Sequence, residues 1–263
     1  MKSTIKKVKD IINPSVKYLV ENNVFRFILD EDKRPLTPKY LSQEMYELYP
    51  DTKNFVLQKQ NSRLSSINNN EHFEQKYLDF VQNTSGIIVD IATGPSGGYI
   101  HGILNSMPED TVLISTDACT FCINSYSEFY IDKNYYYFDV DLDNLLPFND
   151  NSIDTFTGVL LCNVSNYRGL LSEIARCLKP SGKAVFEEVF YSPESETCKY
   201  LSNKNAVYAS SEIYIDYCES IGLDLISIDI CRKSVGKVDP GDGLPLSETD
   251  EWYRKNIYLK KKS

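Results

Sequence analysis

Ile87-Ile88-Val89-Asp90-Ile91-Ala92-Thr93-Gly94-Pro95-Ser96-Gly97-Gly98 changes character sharply at Asp90. Four of the five residues from Ile87 to Ile91 are β-branched and apolar, which suits a strand buried on both faces of a parallel sheet. A small, glycine-rich turn follows, and Tyr99-Ile100-His101-Gly102-Ile103-Leu104 then reads as the opening of a helix. Strand, turn and helix in that order make a binding platform. The backbone N–H groups of the turn and helix face outward at the carboxyl edge of the sheet, where Asp90 can accept from a cationic or hydroxyl-bearing ligand.

The run Asp90-Ile-Ala92-Thr-Gly94-Pro-Ser96-Gly97 resembles the first motif of class I S-adenosylmethionine-dependent methyltransferases, an acidic residue followed by Gly-x-Gly-x-Gly. Ala92 and Ser96 stand where that family most often has glycine. A glycine-rich turn between strand and helix also serves nicotinamide and flavin sites, and a tight turn that binds nothing has the same composition. The order of the segments that follow decides among these readings.

From Ile87 onward, strand and helix alternate regularly, the signature of a doubly wound sheet. Thr111–Ser115 is a second strand that leads to Asp117, an acid placed to accept both hydroxyls of a ribose or to cap the helix that begins with Ala118. Tyr135–Phe138 is a third strand, and Asp139-Val140-Asp141-Leu142-Asp143-Asn144-Leu145-Leu146-Pro147-Phe148 follows it. This segment resembles the family's adenine-contacting region. Counting back from Pro147-Phe148 selects Asp141 for the exocyclic amine and Leu142 for the ring, with Asp139 a rival because one extra residue stands before the Pro. A solvated acidic loop would have the same composition.

Pro147-Phe148-x-Asp150-x-Ser152-Ile153-Asp154 introduces a fourth strand, Thr155–Leu161, and is the most family-specific wording in the chain. In such enzymes the fourth strand ends beside the methyl donor, which the resemblance places near Cys162 and Asn163. Asn163 either orients a ligand through its amide or, with Asn166, caps the next helix. Glu173-Ile-x-Arg176-x-Leu178-Lys179-Pro180-x-Gly182 before a fifth strand, Ala184–Phe190, is another hallmark, and it is structural. The resemblance thus implies cofactor contacts from Asp90, Ala92, Thr93, Gly94, Asp117, Ala118, Asp141, Leu142 and Asn163. It names no catalytic residue, because displacement at an activated sulfonium methyl chiefly requires alignment and exclusion of water. Glu187 and Glu188, at the carboxyl end of the fifth strand, are general-base candidates or ordinary surface carboxylates.

Residues 1–85 read as a mainly helical extension, and the resemblance suggests that they act as a lid. Phe25–Leu29 reads as a short strand or a helix end, Thr37-Pro38 opens a helix carrying Tyr40, Leu41, Met45, Leu48 and Tyr49, and residues 191–205 read as loop. Two strands, Leu225–Ile230 and Asn256–Leu259, close the sheet, and the Pro/Gly-rich connection between them borders the expected substrate mouth with Tyr191, Tyr208 and Trp252. The expected fold is therefore α/β. It has a doubly wound, mostly parallel seven-stranded sheet over residues 86–263 with helices on both faces, preceded by the extension.

At 263 residues, with 42% hydrophobic and 25% charged residues, the chain is ordinary for a globular protein. A net charge of -9 argues against nucleic acid or an anionic membrane as partner. Seven scattered cysteines and two histidines offer no metal-ligand spacing beyond the single pair Cys119 and Cys122, so no metal is expected and the thiols read as reduced. No leader-like or membrane-spanning run is apparent, and the expected location is the cytoplasm. The function these features imply is S-adenosylmethionine-dependent methyl transfer to a small-molecule acceptor, with a protein acceptor still open and the oligomeric state unread. Two alternatives stand beside it. An NAD(P)-dependent reductase would use Asp117 on a ribose but leaves the Leu-Pro-Phe and Leu-Lys-Pro-Ser-Gly segments without a role. A catalytically inactive methyltransferase-like binding subunit would fit the Ala92 and Ser96 departures.

Overall fold

The structure is a computed structural model that describes residues 2–32, 58, 72–82, 84–94, 97, 99–118, 134–237 and 243–263. The expected helix after Thr37-Pro38, the segment from Cys119 to Ile123, and Pro95, Ser96 and Gly98 lie outside the described residues. Nine strands form one sheet: β1 (Leu19–Glu21), β2 (Val24–Arg26), β3 (Ile87–Ile91), β4 (Val112–Asp117), β5 (Tyr135–Asp139), β6 (Ile153–Val159), β7 (Leu178–Tyr191), β8 (Leu223–Val235) and β9 (Glu251–Lys261). Their order is β1-β2-β5-β4-β3-β6-β7-β9-β8. Strands β2 to β7 pair in parallel, while β1 and β9 run antiparallel to their neighbours. The helices are α1 (Lys2–Asp10), α2 (His72–Gln82), α3 (Ile100–Ser106), α4 (Tyr167–Cys177), α5 (Glu196–Asn203) and α6 (Ser211–Ser220).

Seven of these strands are the expected ones. The other two correct the count: β1 and β2 form a hairpin whose second strand adds in parallel to β5. Val24, Phe25 and Arg26 are buried there, so a segment with too few residues for an amphipathic signal is held by its neighbours. The described part of the N-terminal extension therefore contains strand as well as helix. A second correction concerns residues 191–205, which contain α5. Ser195 caps this helix by accepting from Cys198 N at 3.0 Å, and its buried face is Thr197, Cys198 and Leu201. Two apolar-packed residues in eight, Cys198 and Leu201, give too short a period to stand out in the sequence.

The segments that resemble the family are clamps in the structure. Asp154 accepts from Ile87 N at 2.8 Å at the start of β3 and pairs with Lys179 Nζ at 2.8 Å in the turn before the body of β7. Glu173 accepts from Leu146 N at 2.9 Å and from Arg176, which also donates to Phe148 O at 2.9 Å and thereby pins the Leu-Pro-Phe turn. Gly158 lets β6 lie close to β3, since a Cβ there would meet Ile91 O at 3.2 Å and Phe186 Cδ1 at 3.3 Å. Asp154→Ala is expected to cost about 1–3 kcal/mol by leaving Ile87 N without its acceptor, read as a shift in a urea denaturation midpoint. An unchanged midpoint would deny the clamp.

Candidate active site

Because β3, β4 and β5 are parallel neighbours, the sequence-predicted acids gather at one edge of the sheet. Asp90 lies opposite Ser115, and Asp117 lies opposite Asp139. The turn after β3 is built as the glycine pattern requires: Ala92 takes φ 51 and Gly94 takes φ 58, both left-handed. Alanine at the first of these positions carries a modest strain that glycine would not. Thr93 N donates to Thr116 O at 2.9 Å, and Gly94 N donates to an Asp117 carboxylate oxygen at 2.8 Å, so the turn is tied to the end of β4.

Asp90 is 2% exposed, and its two carboxylate oxygens accept from the Thr93 and Thr157 hydroxyls, each at 2.7 Å. Burial pushes its carboxyl up to about 7 against the lowering effect of those two bonds. Asp139 is likewise pushed up to about 7 by burial, opposed by the charge of Arg26, whose guanidinium lies 3.8 Å away. One Asp139 oxygen is buried without a hydrogen-bond partner among the described residues. Asp141 stands just past β5 in a half-exposed turn, where it accepts from Asp143 N at 3.0 Å and Asn144 Nδ2 at 2.8 Å. Leu142 beside it is buried. Ala118 follows β4 directly and is half-buried.

At the end of β6, Leu160 turns left-handed at φ 57 and the chain enters a short 3-10 turn, Leu161–Asn163. Asn163 is exposed, whereas Asn166 caps α4 by accepting from Gly169 N at 3.2 Å, so the capping role falls to Asn166. Glu187 and Glu188 point into the protein and not to solvent. Glu187 bonds to Tyr99 and Arg254. Glu188 accepts from Leu161 N at 2.9 Å and from Tyr167 Oη at 2.5 Å, and burial pushes it up to about 7. The Tyr167 bond could not be read from the sequence, because it joins residues on different elements. Among the described residues no cluster of His, Cys, Asp or Glu is arranged to hold a metal ion, and no helix is long and apolar enough to cross a membrane.

Three buried acids raised together give the fold a definite pH dependence. Each binds its proton more tightly folded than unfolded, so its contribution to stability is fully present below about pH 4 and is lost as pH rises to about 7. Asp250, held low by hydrogen bonds from Thr197 and nearby backbone despite burial, acts oppositely below that range. The melting temperature is therefore expected to be several degrees higher at pH 5 than at pH 8. A scanning calorimetry profile rising over that interval would contradict these assignments.

Residues 90–186 match the family model described as a methyltransferase domain. That match covers the middle of the chain only, and the fold as a whole is similar to that of solved methyltransferases. No curated protein sequence matches it significantly. Among solved structures, geranyl diphosphate C-methyltransferase from Streptomyces coelicolor A3(2), solved with Mg2+, geranyl diphosphate and S-adenosyl-L-homocysteine, is similar with a TM-score of 0.53 at 14% identity, over 77% of this chain and 83% of that one. A putative methyltransferase in complex with the Haloferax volcanii Trm112 activator gives a TM-score of 0.51 at 16% identity, over 80% and 97%. The [4+2]-cyclase SpnF gives 0.52 at 13% identity, over 71% and 80%. At such identities the likeness concerns fold, and a cyclase among these structures shows that the fold alone does not fix the reaction.

Proposed function

We propose that this protein is an S-adenosylmethionine-dependent methyltransferase acting on a small-molecule acceptor, with the donor seated over the turn between β3 and α3. The observation that carries the reading is the Asp117 carboxylate locked onto Gly94 N at the end of β4. The residues fit such a cofactor. A Cβ built at Gly94 meets only Ala92 O, at 3.7 Å, among the described atoms, and the left-handed φ of 58 is the conformation a tight ligand-cradling turn uses. The bound cofactor would supply an activated sulfonium methyl. The chain's own contribution is to hold and align it. Asp117 accepts from the ribose hydroxyls, Ala92, Thr93, Gly94 and Ala118 shape the backbone beside it, and Asn163 stands at the strand end nearest the acceptor. Asp90 is a positioning residue, since both its oxygens already hold the threonines of the turn and of β6.

For the base we retain Asp141 with Leu142. Asp141 is half-exposed and reachable, whereas Asp139 is buried against Arg26. Asp141→Ala is expected to weaken binding of the demethylated product S-adenosylhomocysteine about tenfold, the worth of one hydrogen bond to a charged group. Wild-type affinity in isothermal titration calorimetry would move the base contact elsewhere. In this reading the chain divides near residue 85, the N-terminal part covers the site, and the five described cysteines, all unpaired, suit a reducing compartment such as the cytoplasm.

A further inference from the structure

Beside the end of β6 lies a cleft of about 440 Å³ between the segment Cys162–Arg168 and the segment from α5 to Tyr208. Its lining combines three tyrosines, Tyr167, Tyr200 and Tyr208, with two cations, Arg168 and Lys204. The protein as a whole carries a net charge of -9, yet among the described residues neither of these cations forms an ion pair. Arg168 is braced. Its Nε donates to Asn205 O at 3.1 Å and its guanidinium lies 4.5 Å from the centre of the Tyr217 ring, which leaves its two terminal nitrogens with no hydrogen-bond partner among the described residues. Lys204 sits 5.8 Å from the centre of the Tyr200 ring. The carboxylates nearby are already engaged: Asp143 accepts from Asn166 N at 2.8 Å, and Glu188 lies buried behind Tyr167.

A held guanidinium with free planar donors matches a carboxylate or phosphate, and tyrosine faces match a flat or apolar body. The volume falls within the range of small-molecule sites, about 300–1,000 Å³. We propose that this cleft binds the methyl acceptor and that the acceptor is a small anion, with a carboxylate or phosphate held by Arg168 and Lys204 and an unsaturated or apolar body against Tyr200 and Tyr208. The acceptor role rests on the function proposed above, whereas the anion selectivity of the cleft does not.

The test uses the full chain and three probes, benzoate, phenyl phosphate and neutral benzamide, followed by NMR chemical-shift perturbation with and without S-adenosylhomocysteine. At least one anion is expected to bind ten times more tightly than benzamide, and the stronger of the two identifies the acceptor's charged group. The double variant Arg168→Gln/Lys204→Gln is expected to lose that preference while S-adenosylhomocysteine binds as before and the protein still melts cooperatively. Equal binding of benzamide and both anions, or a preference that survives in the double variant, overturns the proposal. Anion-selective binding in a protein with no affinity for S-adenosylhomocysteine overturns the acceptor role and, separately, the methyltransferase reading.

Discussion

Asp117→Ala is expected to weaken S-adenosylhomocysteine binding by roughly 10- to 100-fold, because the proposed ribose contact would lose two hydrogen bonds to a charged group, each worth about 1.5–3 kcal/mol with partial compensation by water. The same carboxylate also holds Gly94 N at 2.8 Å, so part of the loss would come from a loosened turn. Asp117→Asn separates the two contributions. The amide oxygen can still accept from Gly94 N, while the charge that favours the ribose hydroxyls is gone, so its affinity should fall between those of wild type and alanine. Asp117 also raises the carboxyls of both Asp90 and Asp139 through its charge, and either substitution should let those two groups titrate lower. Calorimetry reports the affinities and carboxylate NMR the titrations. Affinity equal to wild type in both variants would remove Asp117 from the site.

Glu188 carries the second large effect. Glu188→Ala is expected to destabilise the fold by about 3 kcal/mol or more. It strips Leu161 N of its acceptor, leaves the Tyr167 hydroxyl without its bond at 2.5 Å and opens a void in a fully buried position. Glu188→Gln keeps an acceptor oxygen and the volume while removing the ionisation. Its stability should match the wild type near pH 5 and exceed it at pH 8, where the wild-type carboxylate is charged in a dry interior. Thermal melts of the two variants at both pH values decide this. A glutamine variant that loses stability at pH 8 would mean that the charge itself is needed at that position.

The sequence made the parallel sheet legible because its strands are buried on both faces and read as nearly continuous apolar runs, as Ile87–Ile91 does with Asp90 its one polar residue and every residue buried. It made the edge of the site legible for the same reason: in a parallel sheet, acids that end successive strands must share an edge, as Asp117 and Asp139 do in register. What escaped it are features whose cause lies far away along the chain. Phe25–Leu29 reads as a short strand or a helix end, and pairing with β5 decides for a strand, displaced to Val24–Arg26. Arg26 pairs locally with Glu21 at 2.8 Å, but its place 3.8 Å from Asp139, 113 positions later by numbering, is set by the sheet. Glu187 and Glu188 read from the sequence as general-base candidates or as surface carboxylates, which adjacent acids commonly are. The strand instead sends them to opposite faces, one to Tyr99 and Arg254 and the other to Tyr167.

The most direct measurement is calorimetric titration of the protein with S-adenosylhomocysteine, run in parallel with NADH. A saturable one-to-one isotherm is expected with the first and no heat beyond dilution with the second. Saturable binding of NADH, or silence with S-adenosylhomocysteine from a chain that melts cooperatively, would contradict it.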